Sequence, residues 1–433
     1  MIDPGLATLL GFGAIFGLII LHVPVGIAMA VVGVVGFGLM IGWSPALSLL
    51  ATEPVAVMSN LDLAVIPLFL LMGNLAARAG LASDVYKLFY AFIGHRRGGL
   101  SLATFAGCAG FGAVCGSAVA TTVTFGRVAL PEMLARGYSR KLAAGTVAAG
   151  GTLGIVVPPS SILIIYAILT EQFILDLFSA AIIPSALALL LYLGVVAIIV
   201  HRDPQAGPAG PRQSLRDRLD ALRGAWTVLL LGVAVLGGVY SGVFTVTEAA
   251  AVGVAISFVL ALLRKLNMAD LVAILEQTAT TTVLVYVMII GASIFGYFLT
   301  ITGAPALAVQ AIQASGLPPL GIVCCILLAY LALGAIFDEL AAMVLTLPFV
   351  APVIAGLGYD LVWWGIVNIM VVTVGMMSPP IGMNVFVLNG LRPDLRLGLI
   401  YRGVAPFMAV DLLRLAVLVL VPGLSLWLPA LLR

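Results

Sequence analysis

From Leu266 to Leu391 the chain contains no lysine and no arginine. A soluble domain carries roughly 25% charged residues, so a water-facing surface cannot be built over such a length. Across all 433 residues, 63% are hydrophobic and 9% charged, with a mean hydropathy of +1.23. A bilayer is the solvent that fits this composition. The 48 glycines and 23 prolines suit membrane helices that pack closely or are broken. A net charge of +2 supplies no field that would recruit nucleic acid.

A spanning helix needs about 20 apolar residues. Candidate spans are 5–21, 24–43, 63–79, 184–200, 225–242, 246–263, 278–300 and 406–424. No basic leader precedes the first of them, so a cleavable signal peptide is not expected. Two further apolar regions, 140–170 and 361–391, carry Pro158-Pro159 and Ser378-Pro379-Pro380 near their middles. A double proline removes two backbone donors, so each region reads as two half-helices around an unwound loop. Regions 99–136 and 319–357 are each long enough for two helices, interrupted at Gly116-Ser117 and at Asp338-Glu339. Both read as re-entrant hairpins with polar tips inside the membrane.

Basic residues set the orientation. The segments Arg78 to Arg97, Arg136 to Lys141, Arg202 to Arg223, Arg264-Lys265 and Arg392 to Arg402 hold nearly all of them. The intervening connections 43–62, 171–176, 241–247, 301–320 and 357–362 hold none. The positive-inside rule then places the amino terminus outside and the polar 201–223 linker in the cytoplasm. Hairpin 99–136 opens to the cytoplasm and hairpin 319–357 to the outside. The pattern alternates only if neither hairpin crosses.

The linker divides the chain into 1–200 and 224–433, and the two parts resemble each other. A shift of 223 places Glu53 on Glu276, Gly73 on Gly296 and Gly80 on Gly303. A shift of 221 places Gly137-Tyr138 on Gly358-Tyr359 and Pro158-Pro159 on Pro379-Pro380. With five crossings per copy, the second copy is inserted upside down. The predicted fold is therefore an all-α polytopic membrane protein with an inverted repeat. Secondary transporters with discontinuous helices are built this way.

Four irregular breaks at related positions would carry the chemistry. Half-helix N-termini offer free amides, and unwound loops offer carbonyls that suit hard cations such as sodium. The first candidate cation site comprises Gly116, Ser117, Thr121 and Thr122 at the tip, with Thr152, Pro158, Ser160 and Ser161 around the proline loop. The second comprises Asp338 at the tip, with Thr373, Gly375, Ser378, Pro379 and Asn384. Asp338 falls on Ser117 at a shift of 221, and a carboxylate at membrane depth is costly unless paired or coordinating. It reads as the strongest functional candidate; the plainer reading is a helix N-cap. Ser117, Ser161, Asp338 and Asn384 are also candidates for solute contact. Arg127 either faces an anionic solute or snorkels to the surface. The glycines Gly145, Gly150, Gly151 and Gly154 serve helix packing or solute access. Glu248 reads as a helix-start residue, and Asp411 and Arg414 as a structural ion pair.

Cys108, Cys115, Cys324 and Cys325 lie in apolar stretches and read as small buried residues. The three histidines are far apart, leaving little for a metal site or a nucleophilic triad.

Several long stretches resemble the large membrane (M) subunit of the tripartite ATP-independent periplasmic (TRAP) transporters. They are Gly116-Ser117-Ala118-Val119-Ala120-Thr121, Gly126-Arg127-Val128-Ala129-Leu130-Pro131-Glu132-Met133 and Ala148 to Gly154 running into Val157-Pro158-Pro159-Ser160. Thr247-Glu248-Ala249-Ala250-Ala251-Val252-Gly253 and Pro379-Pro380-Ile381-Gly382-Met383-Asn384-Val385-Phe386 belong with them. The resemblance covers almost the whole chain. It implies an elevator mechanism of the ion-transporter superfamily, in the bacterial inner membrane, with sodium-coupled uptake of a carboxylate-bearing solute. It also implies two partners, a periplasmic binding protein (P) and a separate small four-helix membrane subunit (Q). No cofactor other than the coupling sodium is expected. Family tips often read Gly-Ser-Gly-Ser-Ser, whereas Cys115-Gly116-Ser117-Ala118 has fewer hydroxyls and leaves coordination there to backbone carbonyls.

Two other readings are weighed against this one. A stand-alone sodium/dicarboxylate elevator symporter would need no binding protein. A polytopic membrane enzyme would need His, Asp or Glu clustered at one depth, which the sequence does not offer.

Overall fold

A computed structural model describes residues 3–314 and 316–432. Among these residues the chain is helical throughout, with no strand. Eight helices are long and apolar enough to cross a membrane, or nine if the pair Arg140–Val156 and Ser161–Leu169, bent by 42°, is one span.

Helices stand at the expected spans, but Pro4–Ile20 and Val25–Met40 are among the shorter apolar helices and the eight include both arms of the second hairpin, Pro319–Ile336 and Glu339–Gly356; several others outrun their apolar cores. Helices Ile174–Arg202, Met268–Thr302 and Leu397–Leu420 begin well before the apolar stretches at 184, 278 and 406. Capping explains two of the starts that hydropathy misses. Ser214 and Asp217 form a reciprocal capping box before the helix Leu215–Gly232. Asn267 accepts a 2.7 Å bond from the Asp270 amide at the start of Met268–Thr302.

Two of the expected connections are corrected. Segment 43–62 holds the helix Trp43–Ser59, and 301–320 holds Ala304–Ala314. Trp43–Ser59 carries Glu53 and Pro54 in its interior, a charge and a helix breaker that interrupt its apolar run. Its place is set by tertiary contact: Ser293 donates to Glu53 Oε2 at 2.5 Å from the long helix Met268–Thr302.

Both hairpins form, with arms Gly99–Cys115 and Ala118–Ala135, and Pro319–Ile336 and Glu339–Gly356. Both proline regions break, between Val156 and Ser161 and between Gly375 and Met383. Helices starting at Gly99, Ala118, Arg140, Ser161 and Ile174 have counterparts starting at Pro319, Glu339, Leu361, Met383 and Leu397, each 220 to 223 residues further on. The matched glycines also share their backbone. Gly80 and Gly303 both take positive φ (74° and 62°), as do Gly137 and Gly358 (79° and 82°), at turns that follow a helix.

Four breaks are held in place by backbone-to-backbone packing. Each hairpin's first arm crosses a broken helix at paired glycines. A Cβ on Gly112 would stand 2.7 Å from Gly154 Cα, and one on Gly375 2.6 Å from the Gly334 carbonyl carbon. Around this unit the two halves exchange partners. Val25–Met40 packs on Met268–Thr302 through Gly26 and Gly291, and Val246–Leu263 packs on the 61–78 helix through Gly253 and Met72.

The four cysteines divide. Cys108 and Cys115 are buried as expected, whereas Cys324 and Cys325 are exposed. These last two sit on the side of the hairpin arm turned away from the protein core, where a thiol suits lipid as well as it suits a core.

Candidate functional site

The first hairpin tip lies directly over the first helix break. Gly116 turns with φ 62°, and a Cβ there would meet Ser161 Oγ at 3.0 Å and Pro159 O at 3.5 Å. Ser117 then caps the second arm, accepting from the Ala120 amide at 3.3 Å. Its carbonyl accepts from the Thr121 hydroxyl at 2.8 Å. Gly154 makes room for both groups, since a Cβ there would stand 2.3 Å from Thr121 Oγ1 and 2.6 Å from Ser117 O. The hydroxyls of Thr122, Ser160 and Ser161 are buried without a hydrogen-bond partner. A fully buried hydroxyl without a partner is unfavourable, so this cluster is set up for an oxygen-seeking ligand.

Two residues of the first expected set point elsewhere. Thr152 donates to Ala149 O at 2.7 Å and lies 3.1 Å from the Tyr192 hydroxyl. Tyr192 in turn donates to Asp411, which pairs with Arg414 at 2.9 Å, all of them buried. Thr152 therefore belongs to a structural polar network that includes the expected Asp411–Arg414 pair. Pro158 is buried at the break without a polar role of its own.

The second set is arranged differently. Ile381 and Gly382 donate their amides to Ala335 O at 3.3 and 3.1 Å, which ties the second break to the end of the hairpin arm. Thr373 donates to Met370 O at 2.7 Å, the same internal bond that Thr152 makes one repeat earlier. Ser378 donates to Val374 O at 2.8 Å. Gly375 forms the glycine crossing, and Pro379 is exposed. Asn384 reaches into the first half instead, donating to Ala148 O at 3.2 Å beside Gly151, with its Oδ1 buried and unpartnered. Arg127 is exposed, in keeping with the surface reading.

Asp338 takes the geometry of the plainer of its two readings. Asp338 is exposed and accepts from the Ala341 amide at 2.8 Å, so the geometry is that of an N-cap. The buried carboxylate is Glu339, 8% exposed. Its Oε2 has no hydrogen-bond partner. Sequence reading passes over Glu339 because an acidic pair at a helix start is satisfied by its first member.

A separate cleft of about 610 Å³ is lined by none of these tip or proline-loop residues. It runs between the helix Met268–Thr302 and the second hairpin arm, and its lining includes Asn60, Thr170, Ser293, Tyr297 and Pro348.

A family model described as "Tripartite ATP-independent periplasmic transporter, DctM component" matches residues 12–424. The chain belongs to this family. It is 34% identical to the C4-dicarboxylate TRAP transporter large permease protein DctM of Pseudomonas aeruginosa, over 90% of this chain and 93% of that one. It is 29% identical to the ectoine permease TeaC of Halomonas elongata, over 97% and 98% of the two chains. A fused isethionate permease, DctMQ of Oleidesulfovibrio alaskensis, is 28% identical, with 66% of its length covered. Among solved structures, the YdaH transporter of Alcanivorax borkumensis has the same fold, with a TM-score of 0.63 and 16% identity over 89% of this chain and 90% of that one. The large TRAP subunit is thus a multi-pass transporter permease and not an enzyme.

Proposed function

We propose that this permease takes up an organic acid in symport with sodium, by an elevator movement of the hairpins and broken helices against the remaining spans. The observation that carries this reading is that each hairpin is locked to a helix break by a glycine crossing, Gly112 on Gly154 and Gly334 on Gly375. A unit tied together in this way supports alternate exposure by movement of the whole. The halves 1–200 and 224–433 are the inverted repeats of this proposal. The amino terminus is then periplasmic and the 201–223 linker cytoplasmic.

Sodium fits the first tip by chemistry. The unpartnered Ser160 and Ser161 hydroxyls and nearby carbonyls are a hard-oxygen set. In the second half the hydroxyls of Thr373 and Ser378 are internally bonded, which leaves backbone carbonyls and Asp338 as ligands there. The relatives named for C4-dicarboxylates, ectoine and sialic acid support an organic acid as the solute. A fused relative supports a small membrane subunit as partner, and the family name supports a periplasmic binding protein.

The test is uptake into proteoliposomes holding the large and small subunits, with the binding protein and labelled organic acids added outside. Uptake should require both the binding protein and an inward sodium gradient. Equal uptake with the gradient collapsed refutes sodium coupling. Equal uptake without the binding protein favours a stand-alone carrier.

A further inference from the structure

We propose that the cleft of about 610 Å³ is a charge filter at the periplasmic mouth of the permease, which concentrates cations, sodium among them, and holds back free anions. The inference rests on the proposed orientation and transport function.

The cleft lies on the seam between the elements proposed to move and those proposed to stay. One wall is the helix Met268–Thr302 with the end of Trp43–Ser59. The other is the end of Ser161–Leu169 with the second hairpin arm, Glu339–Gly356. These elements lie within, or lead into, the connections 43–62, 171–176, 301–320 and 357–362, none of which holds a lysine or arginine. By the positive-inside rule this is the outer face.

The charges at this mouth have one sign. Glu171 lines the cleft directly. Asp360 precedes the lining residue Leu361, and Asp62 stands between Asn60 and Leu63, which also line it. Behind the wall, Glu53 accepts from Ser293, itself a lining residue, at 2.5 Å. Asp62, Glu171 and Asp360 are exposed, and none of the four carboxylates enters an ion pair among the described residues. Among the described residues no lysine or arginine lines the cleft, and much of its wall is apolar, as at Ile289, Leu347 and Pro348.

A cleft with charges of one sign and low-dielectric walls focuses its field, raising the local concentration of cations and lowering that of anions. The hydroxyls of Thr170, Ser293 and Thr300 are already bonded, to Tyr166 O, Glu53 and Gly296 O. The cleft therefore acts through its field and needs no fixed ion. An anionic solute free in the periplasm meets the same field as repulsion. It passes only with its charge covered, by accompanying cations or by basic side chains of a partner that presents it.

The experiment reads the local potential with a thiol. The reporter is Thr300→Cys, exposed at the cleft, with Cys324→Ser and Cys325→Ser removing the other exposed thiols. Intact cells carrying the permease and its small subunit are treated with a cationic or an anionic methanethiosulfonate, and each rate is divided by the rate with free 2-mercaptoethanol. A carboxylate about 10 Å away through water alters each rate about twofold, in opposite directions. The cationic reagent should thus be favoured about fourfold or more at low ionic strength, and Glu171→Gln should lower that ratio about fourfold. Adding Asp62→Asn and Asp360→Asn, the latter keeping the cap on Val362, should bring it close to unity. In about 1 M choline chloride, with a Debye length of about 3 Å, all variants should converge. A ratio near unity before any carboxylate is replaced, or one that the three substitutions leave unchanged, overturns the proposal. So does an absence of reaction with either reagent, which would close the cleft to the outside. In uptake, Glu171→Gln should raise the half-saturating sodium about twofold, and an unchanged value overturns the part of the filter in coupling. The reagent rates need no transport, so uptake that ignores sodium would refute the coupling while the reagents still decide the filter.

Discussion

One added carbon at Gly154 has no space, since it would fall 2.3 Å from the Thr121 hydroxyl. Gly154→Ala should therefore displace the first tip and destabilise the permease by about 1–3 kcal/mol. Thermal unfolding in detergent and sodium-driven uptake should both fall. The contrast is Gly194→Ala, at an exposed helical position with nothing within 4 Å, which should be neutral or stabilise by about 0.5–1 kcal/mol. At Asp338, asparagine keeps the cap on Ala341 while removing the charge. Asp338→Asn should leave the unfolding midpoint close to wild type, whereas Asp338→Ala should lose about 1 kcal/mol. A change in sodium dependence in the asparagine variant then reports the charge alone. A midpoint lowered equally by both variants would sink the capping account.

Between elements, the strongest polar tie is Asp411–Arg414 with Tyr192 and Thr152, joining Leu397–Leu420, Ile174–Arg202 and the first broken helix. Asp411→Asn leaves the Arg414 charge buried without its partner, a loss of about 3–5 kcal/mol. Replacing both residues, as Asp411→Leu with Arg414→Met, should recover much of the unfolding midpoint. Failure of the double variant to recover would mean that the network does more than hold helices together.

Most elements were legible in the chain. Apolar length, double prolines and the matched glycines place the spans, the breaks and the turns. Helix ends were legible where capping residues stand, as at Ser214, and not where hydropathy alone was read. Trp43–Ser59 escaped because Glu53 in its interior is answered only by another part of the chain, Ser293. Ser117 and Thr121 gather at the first tip beside Pro159 and Ser161, as their spacing suggests. Thr152 and Thr373 misled, since an internal bond to a preceding carbonyl satisfies a hydroxyl without any site. Glu339 stayed hidden because burial, and not residue type, distinguishes it from Asp338.

For the whole molecule, the elevator reading makes a geometric prediction. A Cβ on Gly296 of the long helix would stand 3.8 Å from Pro348 Cβ on the second hairpin, the separation a disulfide needs. In a background lacking the exposed Cys324 and Cys325, the pair Gly296→Cys and Pro348→Cys should cross-link under mild oxidation. Uptake should drop to background and return on reduction. Full uptake by the cross-linked protein would rule out relative movement of these two elements.

The linker after Arg202 has a consequence for any such movement. It is stitched to the base of the first hairpin, with Gly98 donating to Gly207 O at 2.9 Å, Ser139 to Ala206 O at 2.9 Å and Gly210 to Gly94 O at 3.0 Å. The helix Leu215–Gly232 begins only after residues 211–214. Four residues reach at most about 14 Å when drawn straight. That short leash bounds how far the hairpin base can travel from the next helix while these stitches hold, and lengthening it by a few glycines would test whether the stroke is limited by the string or by the bilayer.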